Sequence, residues 1–380
     1  MKRILKNKFF VFAIIAALVI TFIMTLAQFP TAKSTIQNVP VGIVNQDQGP
    51  IGKTITKKVI ANKTKAAHAD QPMFKWHEYQ TVKAANRSLS FNGNYATVII
   101  PKNLSQSVQS VSQTGKPARI KIIINQGRNH TLATNVSSIL NNLFNKVGAS
   151  IGTGILAKMG QLNLTIPATK AEVIANPIKV QTKIVHSTKN LEAASSVFFQ
   201  PIWITSLATT MLLYFASRSF KPKHKKDVFA FKGTVVVIVA ILALVVGFVT
   251  TFYVSQFLGY QFPDSTLISL FLAIATFAFI MLFSGVIAWI GIPGVVIFAL
   301  LMFFSLPLMV MAPQMLPQAY QDYFLPWLPM KFLYEGLREI LYFKAGILNQ
   351  NTWGLIIIAG IGLIMFFLET FGKRHQKTFI

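Results

Sequence analysis

The chain has 380 residues, 53% hydrophobic and 12% charged, with a formal net charge of +25 and no cysteine. Soluble domains are usually about 25% charged, so an ordinary soluble domain is excluded, and the missing thiols exclude disulfides and thiolate metal sites. A basic balance alone suggests nucleic acid, but five stretches carry no Lys, Arg, Asp or Glu: 9–32, 193–217, 233–263, 265–321 and 345–368. Such gaps point to a bilayer instead. A spanning helix needs about 20 apolar residues, and 265–321 is long enough for two. The expected fold is therefore a polytopic α-helical membrane protein with about six transmembrane helices and an α+β extracytoplasmic domain between helices 1 and 2.

Lys2, Arg3, Lys6 and Lys8 precede an apolar run from Phe9 to Phe29. The pattern resembles a signal peptide, with Thr25–Ala27 as a weak small-x-small cleavage site. The run is longer than an h-region of about 7–15 residues, so 1–32 reads as a cytoplasmic N-terminus and an uncleaved first span at 9–29.

Residues 33–192 hold 20 Lys/Arg and 5 Asp/Glu and suit one domain of ordinary size. Val39–Val44 reads as a buried strand running into the turn cluster Asn45–Gly49. Tyr95–Ile100, stopped by Pro101, and Ala118–Ile124 read as two more. The stretches 50–66 and 77–90 look helical. A long helix is expected over 129–160, because Leu132, Val136, Ile139, Leu140, Leu143 and Val147 recur at helical spacing. Its apolar face would pack on the sheet or continue as a stalk. An extended piece around Ile174–Val185 leads back to the membrane. Gly52-Lys53-Thr54 resembles the end of a phosphate-binding loop, but that motif needs glycine six residues before the lysine, where Asp47 stands. The histidines are scattered and read as surface residues. No catalytic, cofactor-binding or metal-binding residue is visible.

The remaining chain, 193–380, is expected to hold spans two to six at about 196–217, 233–257, 266–289, 295–312 and 353–371. Spans four and five are parted by Gly291-Ile292-Pro293-Gly294, a helix-breaking turn. Orientation follows Lys/Arg in short loops. The N-terminus, the loop 218–232 (Arg218, Lys221, Lys223, Lys225, Lys226, Lys232) and the tail with Lys373, Arg374 and Lys377 fall on one side, the cytoplasm. Residues 33–192 then lie outside a cell membrane crossed several times. Trp203, Tyr214, Tyr253, Tyr260, Trp289, Trp327 and Trp353 read as an interfacial belt. Spans two to five carry no acid, base or histidine. Ion-coupled transporters place such groups inside the bilayer, so that mechanism is disfavoured.

The external segment 313–344 is Pro-rich, then amphipathic. Over 330–343, Phe332, Leu333, Leu337, Ile340 and Leu341 share one helical face and Lys331, Glu335, Arg338 and Glu339 the other. Glu335 and Arg338 can pair at i, i+3. The segment is an interfacial helix, or a re-entrant gate in which Tyr334, Glu335, Arg338 and Glu339 are the candidate residues.

One external domain between spans one and two, clustered later spans, and a Pro-rich loop from Leu325-Pro326-Trp-Leu-Pro329 to Tyr334-Glu-Gly-Leu-Arg338 resemble ABC type-2 permeases of bacterial exporters. Val39-Pro-Val-Gly-Ile-Val-Asn-Gln-Asp-Gln-Gly49, with Tyr95-Ala-Thr-Val-Ile-Ile-Pro-Lys-Asn-Leu-Ser105, is similar to the YhgE/Pip branch. The resemblance implies an exporter's permease subunit, paired with a second copy or paralogue and driven by a separate cytoplasmic ATP-binding subunit. That subunit, not this chain, would hold the ATP. The contact surfaces would be the basic N-terminus and the loop 218–232, and the loop would carry more of the coupling, since the segment before span one is only about eight residues. Charge-free spans suit an amphipathic or lipid-like cargo. The alternative is a non-transporting surface scaffold or receptor acting through its external domain. No nucleic-acid partner is expected.

Overall fold

The computed structural model describes residues 8–219, 222 and 224–372, apart from 67, 68, 70, 166 and 190; along the first helix the side chains described are Ile15 and those from Ala17 onward. Two compact units result, Thr35–Thr188 and the remainder of the chain.

The 35–188 unit is built on a five-stranded sheet in the order β2-β1-β3-β4-β5, from β1 (Val39–Asn45), β2 (Phe74–Glu78), β3 (Ala96–Ile100), β4 (Ala118–Asn125) and β5 (Ile178–Val185). β1 runs parallel to both β2 and β3, β3 pairs antiparallel with β4, and β4 parallel with β5. β3 is buried at every residue and β1 at most, which is why both read as unbroken apolar runs. Counting helices from α1 (Lys8–Ala32) of the other unit, those of this unit are α2 (Pro50–Ala61), α3 (Val82–Ser90), α4 (Leu104–Gln109), α5 (Val111–Thr114), α6 (His130–Gln161) and α7 (Ala168–Ala175).

The expected helix 77–90 is corrected. Phe74–Glu78 is a strand paired with β1, and the helix starts only at Val82, where Thr81 accepts the Ala84 amide at 3.2 Å. The helix expected over 50–66 ends at Ala61. Ile174 closes α7 rather than opening a strand; Pro177 disfavours helix in the residue before it, and β5 starts after it. α6 lies against the sheet with Leu132, Val136, Leu140 and Phe144 buried. Gly152 continues that face because a Cβ there would stand 2.0 Å from the Ala175 carbonyl oxygen.

Among the described residues, the second unit contains five helices long and apolar enough to cross a membrane: Ala194–Ser219, Lys225–Leu258, Ser265–Ile290, Pro293–Val310 and Gln350–Phe371. The chain is a polytopic α-helical membrane protein. Its labelled elements are α1, α8 (Ala194–Val197), α9 (Phe199–Ser219), α10 (Lys225–Leu258), α11 (Ser265–Ile290), α12 (Pro293–Val310), α13 (Pro329–Phe343) and α14 (Gln350–Leu368). The expected first span lies on α1, whose described apolar part is Ala17–Ala32.

α11 is the hub. α10 and α14 cross it so closely that no side chain fits between them. A Cβ on Gly247 would lie 2.3 Å from the Ser269 carbonyl oxygen, and one on Gly362 2.4 Å from the Met281 carbonyl carbon. Small residues at crossings let backbones meet, the usual device where lipid leaves no hydrophobic drive between helices. Trp203 is corrected from the interfacial belt to the core. It is fully buried, donates from Nε1 to the Phe298 carbonyl at 3.2 Å, and meets Phe279 and Phe283 edge-on at 4.9 and 4.7 Å. Tyr253, Trp289, Trp327 and Trp353 are exposed.

After α12 the chain forms a π turn over Tyr320–Phe324. Tyr320 donates to the Leu26 carbonyl at 2.9 Å and stacks on Phe29 and Phe304, fixing this turn to α1.

Candidate functional site

The basic segment 218–232 is not one loop. α9 continues to Ser219 and α10 begins at Lys225, so Lys225, Lys226 and Lys232 are helical. Asp227 starts α10: its carboxylate accepts the His224 amide at 2.9 Å and closes a capping box, satisfying a donor that a helix start leaves open. Lys225 and Lys226 are exposed on the first turn, with the Lys225 ammonium 5.6 Å above the Phe371 ring. Arg218 is exposed at the end of α9, its guanidinium 6.0 Å above the Tyr214 ring. Lys221 and Lys223 lie outside the described residues, as do Lys2, Arg3, Lys6, Lys373, Arg374 and Lys377.

Lys232 is no surface cation. Two turns into α10 its side chain is 6% exposed, and Nζ lies 3.0 Å from Glu369 Oε2, itself on a side chain 9% exposed. Nζ also donates to the Phe366 carbonyl at 2.5 Å and Thr370 Oγ1 at 2.9 Å, above the Phe366 ring at 4.9 Å. An ammonium has three N–H donors, and all three are engaged. The pair therefore ties the start of α10 to the end of α14.

Between α9, α10, α11 and α14 lies a cavity of about 320 Å³. Its charged lining is Arg218, Lys232 and Glu369; Leu213, Phe231, Val235 and Ile287 supply apolar wall. The cavity thus joins two of the candidate coupling residues, Arg218 and Lys232, to a carboxylate 137 residues from the lysine. Reading Lys232 as loop hid this pair.

The expected polar face of α13 is corrected as well. Arg338 is 7% exposed and lies among buried positions, with Nη2 2.5 Å from Glu335 Oε2. Lys331, Tyr334, Glu335 and Glu339 are half-buried rather than exposed. The helix is closed in by neighbours: a Cβ on Gly336 would stand 2.3 Å from Phe271 Cζ of α11, and one on Gly354 of α14 2.3 Å from Phe332 Cδ1. Tyr342 donates to the Leu191 carbonyl. α13 is packed inside its unit instead of lying with a charged face to solvent.

In the other unit, the helix N-terminus after β1 is filled by the chain itself. Asp47 Oδ2 accepts the Gly52 amide at 3.0 Å and the Ser105 hydroxyl at 2.5 Å, while Ser105 Oγ accepts the Ile51 amide at 3.0 Å. A helix N-terminus attracts anions; here the anion is Asp47, where a phosphate-binding loop would hold phosphate. Burial alone would raise this carboxyl, but hydrogen bonds from Ser105 and from the Gly52, Ser105 and Gly49 backbones hold it below its ordinary value.

A family model described as "Protein of unknown function (DUF3533)" matches residues 6–358. The chain belongs to the DUF3533 family. The match runs from before α1 into α14, so the DUF3533 architecture takes in both the sheet unit and the helical unit. No curated protein matches this DUF3533 chain. Among solved structures, a domain provisionally described as part of an ABC type-2 transporter from Thermotoga maritima MSB8 is similar at 20% identity and a TM-score of 0.25, over 38% of this chain and 84% of that one. A likeness so distant carries no functional argument.

Proposed function

We propose that this DUF3533 chain is the permease subunit of an ABC type-2 exporter, moving an amphipathic or lipid-like substrate outward with ATP hydrolysed by a separate subunit. One observation carries the reading: exposed Arg218, Lys225 and Lys226 mark the end of the bundle where Lys232 and Glu369 join α10 to α14 beside a cavity. A partner gripping that basic end would have its motion passed into two helices that α11 holds at backbone distance. In this reading the basic end is cytoplasmic, 33–192 is extracytoplasmic, and a second copy or paralogue completes the pathway. α13, with Tyr334, Glu335, Arg338 and Glu339, is the gate on the opposite side. The order of the quoted motifs supports the YhgE/Pip-like branch.

The test is a mild-detergent pull-down of the tagged chain with the ATPase activity of the eluate assayed. A stoichiometric ATP-binding protein, lost on Lys225→Glu/Lys226→Glu while the chain still folds, is the expected result. An eluate without ATPase from cells expressing the neighbouring genes would refute it. The second reading, a surface scaffold, is favoured by the excess of 20 basic over 5 acidic residues in 33–192. It would bind anionic wall polymer or lipid headgroups by charge, and the double reversal would leave it unaffected.

A further inference from the structure

Around the α9–α10–α11–α14 cavity the half-buried Tyr214 and the buried Ser284 carry hydroxyls that the fold does not use among the described residues. Ser206, Thr210, Ser217 and Thr276 each donate to a carbonyl three or four residues earlier, the usual way an apolar helix absorbs a hydroxyl. Ser284 is 6% exposed and lines the cavity, yet its hydroxyl has no hydrogen-bond partner among the described residues. A hydroxyl left so and open to the cavity is free to bind a ligand or water.

The charge at the cavity is also unbalanced. Lys232 and Glu369 neutralise one another, and the lysine has no donor left. Arg218 has no carboxylate partner among the described residues, so the cavity keeps one positive charge. A guanidinium forks onto phosphate oxygens in two hydrogen bonds, and a serine hydroxyl supplies a further donor. Beside these groups Leu213, Phe231 and Val235 are apolar. About 320 Å³ is room for a headgroup and its first carbons, not a whole lipid.

We infer that this cavity binds a phosphate-bearing anionic amphiphile, its phosphate on Arg218 and Ser284 and its apolar part along Leu213, Phe231 and Val235. That the ligand is cargo rests on the exporter reading; the binding itself does not. The experiment is native mass spectrometry of the full chain in neutral detergent, titrated with phosphatidylglycerol, phosphatidylcholine or glycerol phosphate. Phosphatidylglycerol is expected to be held about tenfold tighter than phosphatidylcholine. Arg218→Gln should remove that preference and Ser284→Ala weaken binding by about tenfold or more, the scale of one hydrogen bond to a charged group. Lys33→Gln, an exposed cation outside the cavity, should change nothing. Equal retention of the two lipids, or equal loss on Arg218→Gln and Lys33→Gln, would overturn the inference. Displacement of the lipid by equimolar glycerol phosphate would overturn its apolar half and make the ligand a free phosphate ester. Phosphatidylglycerol binding in a chain that captures no ATPase would sink the exporter reading and leave this site standing.

Discussion

Replacing Lys232 by Met keeps the unbranched stem of the side chain and removes its charged end. Three accepting groups, on Phe366, Glu369 and Thr370, then lose their donor at once. The carboxylate suffers most, because it stays buried without a counter-charge. Breaking one partner of a buried ion pair costs about 3–5 kcal/mol, whereas replacing both by apolar groups is roughly neutral. At about 2–4 °C per kcal/mol for a body of 150–250 residues, Lys232→Met should lower the thermal midpoint by roughly 6–20 °C. Lys232→Met/Glu369→Leu should recover most of that. The assay is thermal unfolding of the purified chain in one detergent, followed by intrinsic tryptophan fluorescence. If the single variant falls no further than the double, the pair does not tie α10 to α14 and the argument fails.

The other predictions concern separate parts of the molecule. Asp47 has its folded-state pKa below the ordinary 3.8, so its contribution to stability is full above the unfolded value and is lost as pH falls through the folded one. The protection factor of the Gly52 amide, its exchange rate corrected for the intrinsic dependence on pH, should therefore fall in acid in the native chain, and be lower but flat with pH in Asp47→Asn; parallel pH curves would contradict this. Gly362→Val forces a side chain into backbone of α11 2.4 Å away, and overpacking of this kind costs about 1–3 kcal/mol or more; an unchanged midpoint would show that the crossing yields. ATPase capture through Lys225 and Lys226 should weaken as salt rises, since exposed charges are screened beyond about 10 Å at 0.1 M; capture unmoved by salt would point to an apolar interface.

Most of the helical architecture was legible because lipid enforces a coarse rule, apolar side chains over a fixed length. The missed parts are places where local pattern and final surroundings disagree. Residues 225–232 look like loop because basic residues crowd them, although His224 and Asp227 carry the spacing of a capping box. Lys232 and Glu369 stand at the edges of two apolar runs 137 residues apart, and nothing local says that they meet. Arg338 sits on the polar side of a helical wheel, yet neighbours enclose α13 on more sides than one, which a wheel cannot represent. Trp203 fits a belt by sequence position; its burial depends on Phe279, Phe283 and Phe298 arriving from elsewhere. β2 is five residues long and needed β1 beside it to become a strand.

α11 shows a division between how a segment reaches its place and where it ends. In the finished unit 72% of its most apolar window is covered by protein. Membrane helices are first inserted singly and only later associate. At insertion α11 has no neighbours, and its mean hydropathy of 2.5 over that window is what admits it to the bilayer alone. Polar changes on this helix should therefore be felt twice, first by the insertion machinery and only afterwards by packing. Ala273→Ser, a small change beside Gly247 in the assembled protein, can still lower yield, because fewer chains insert this segment.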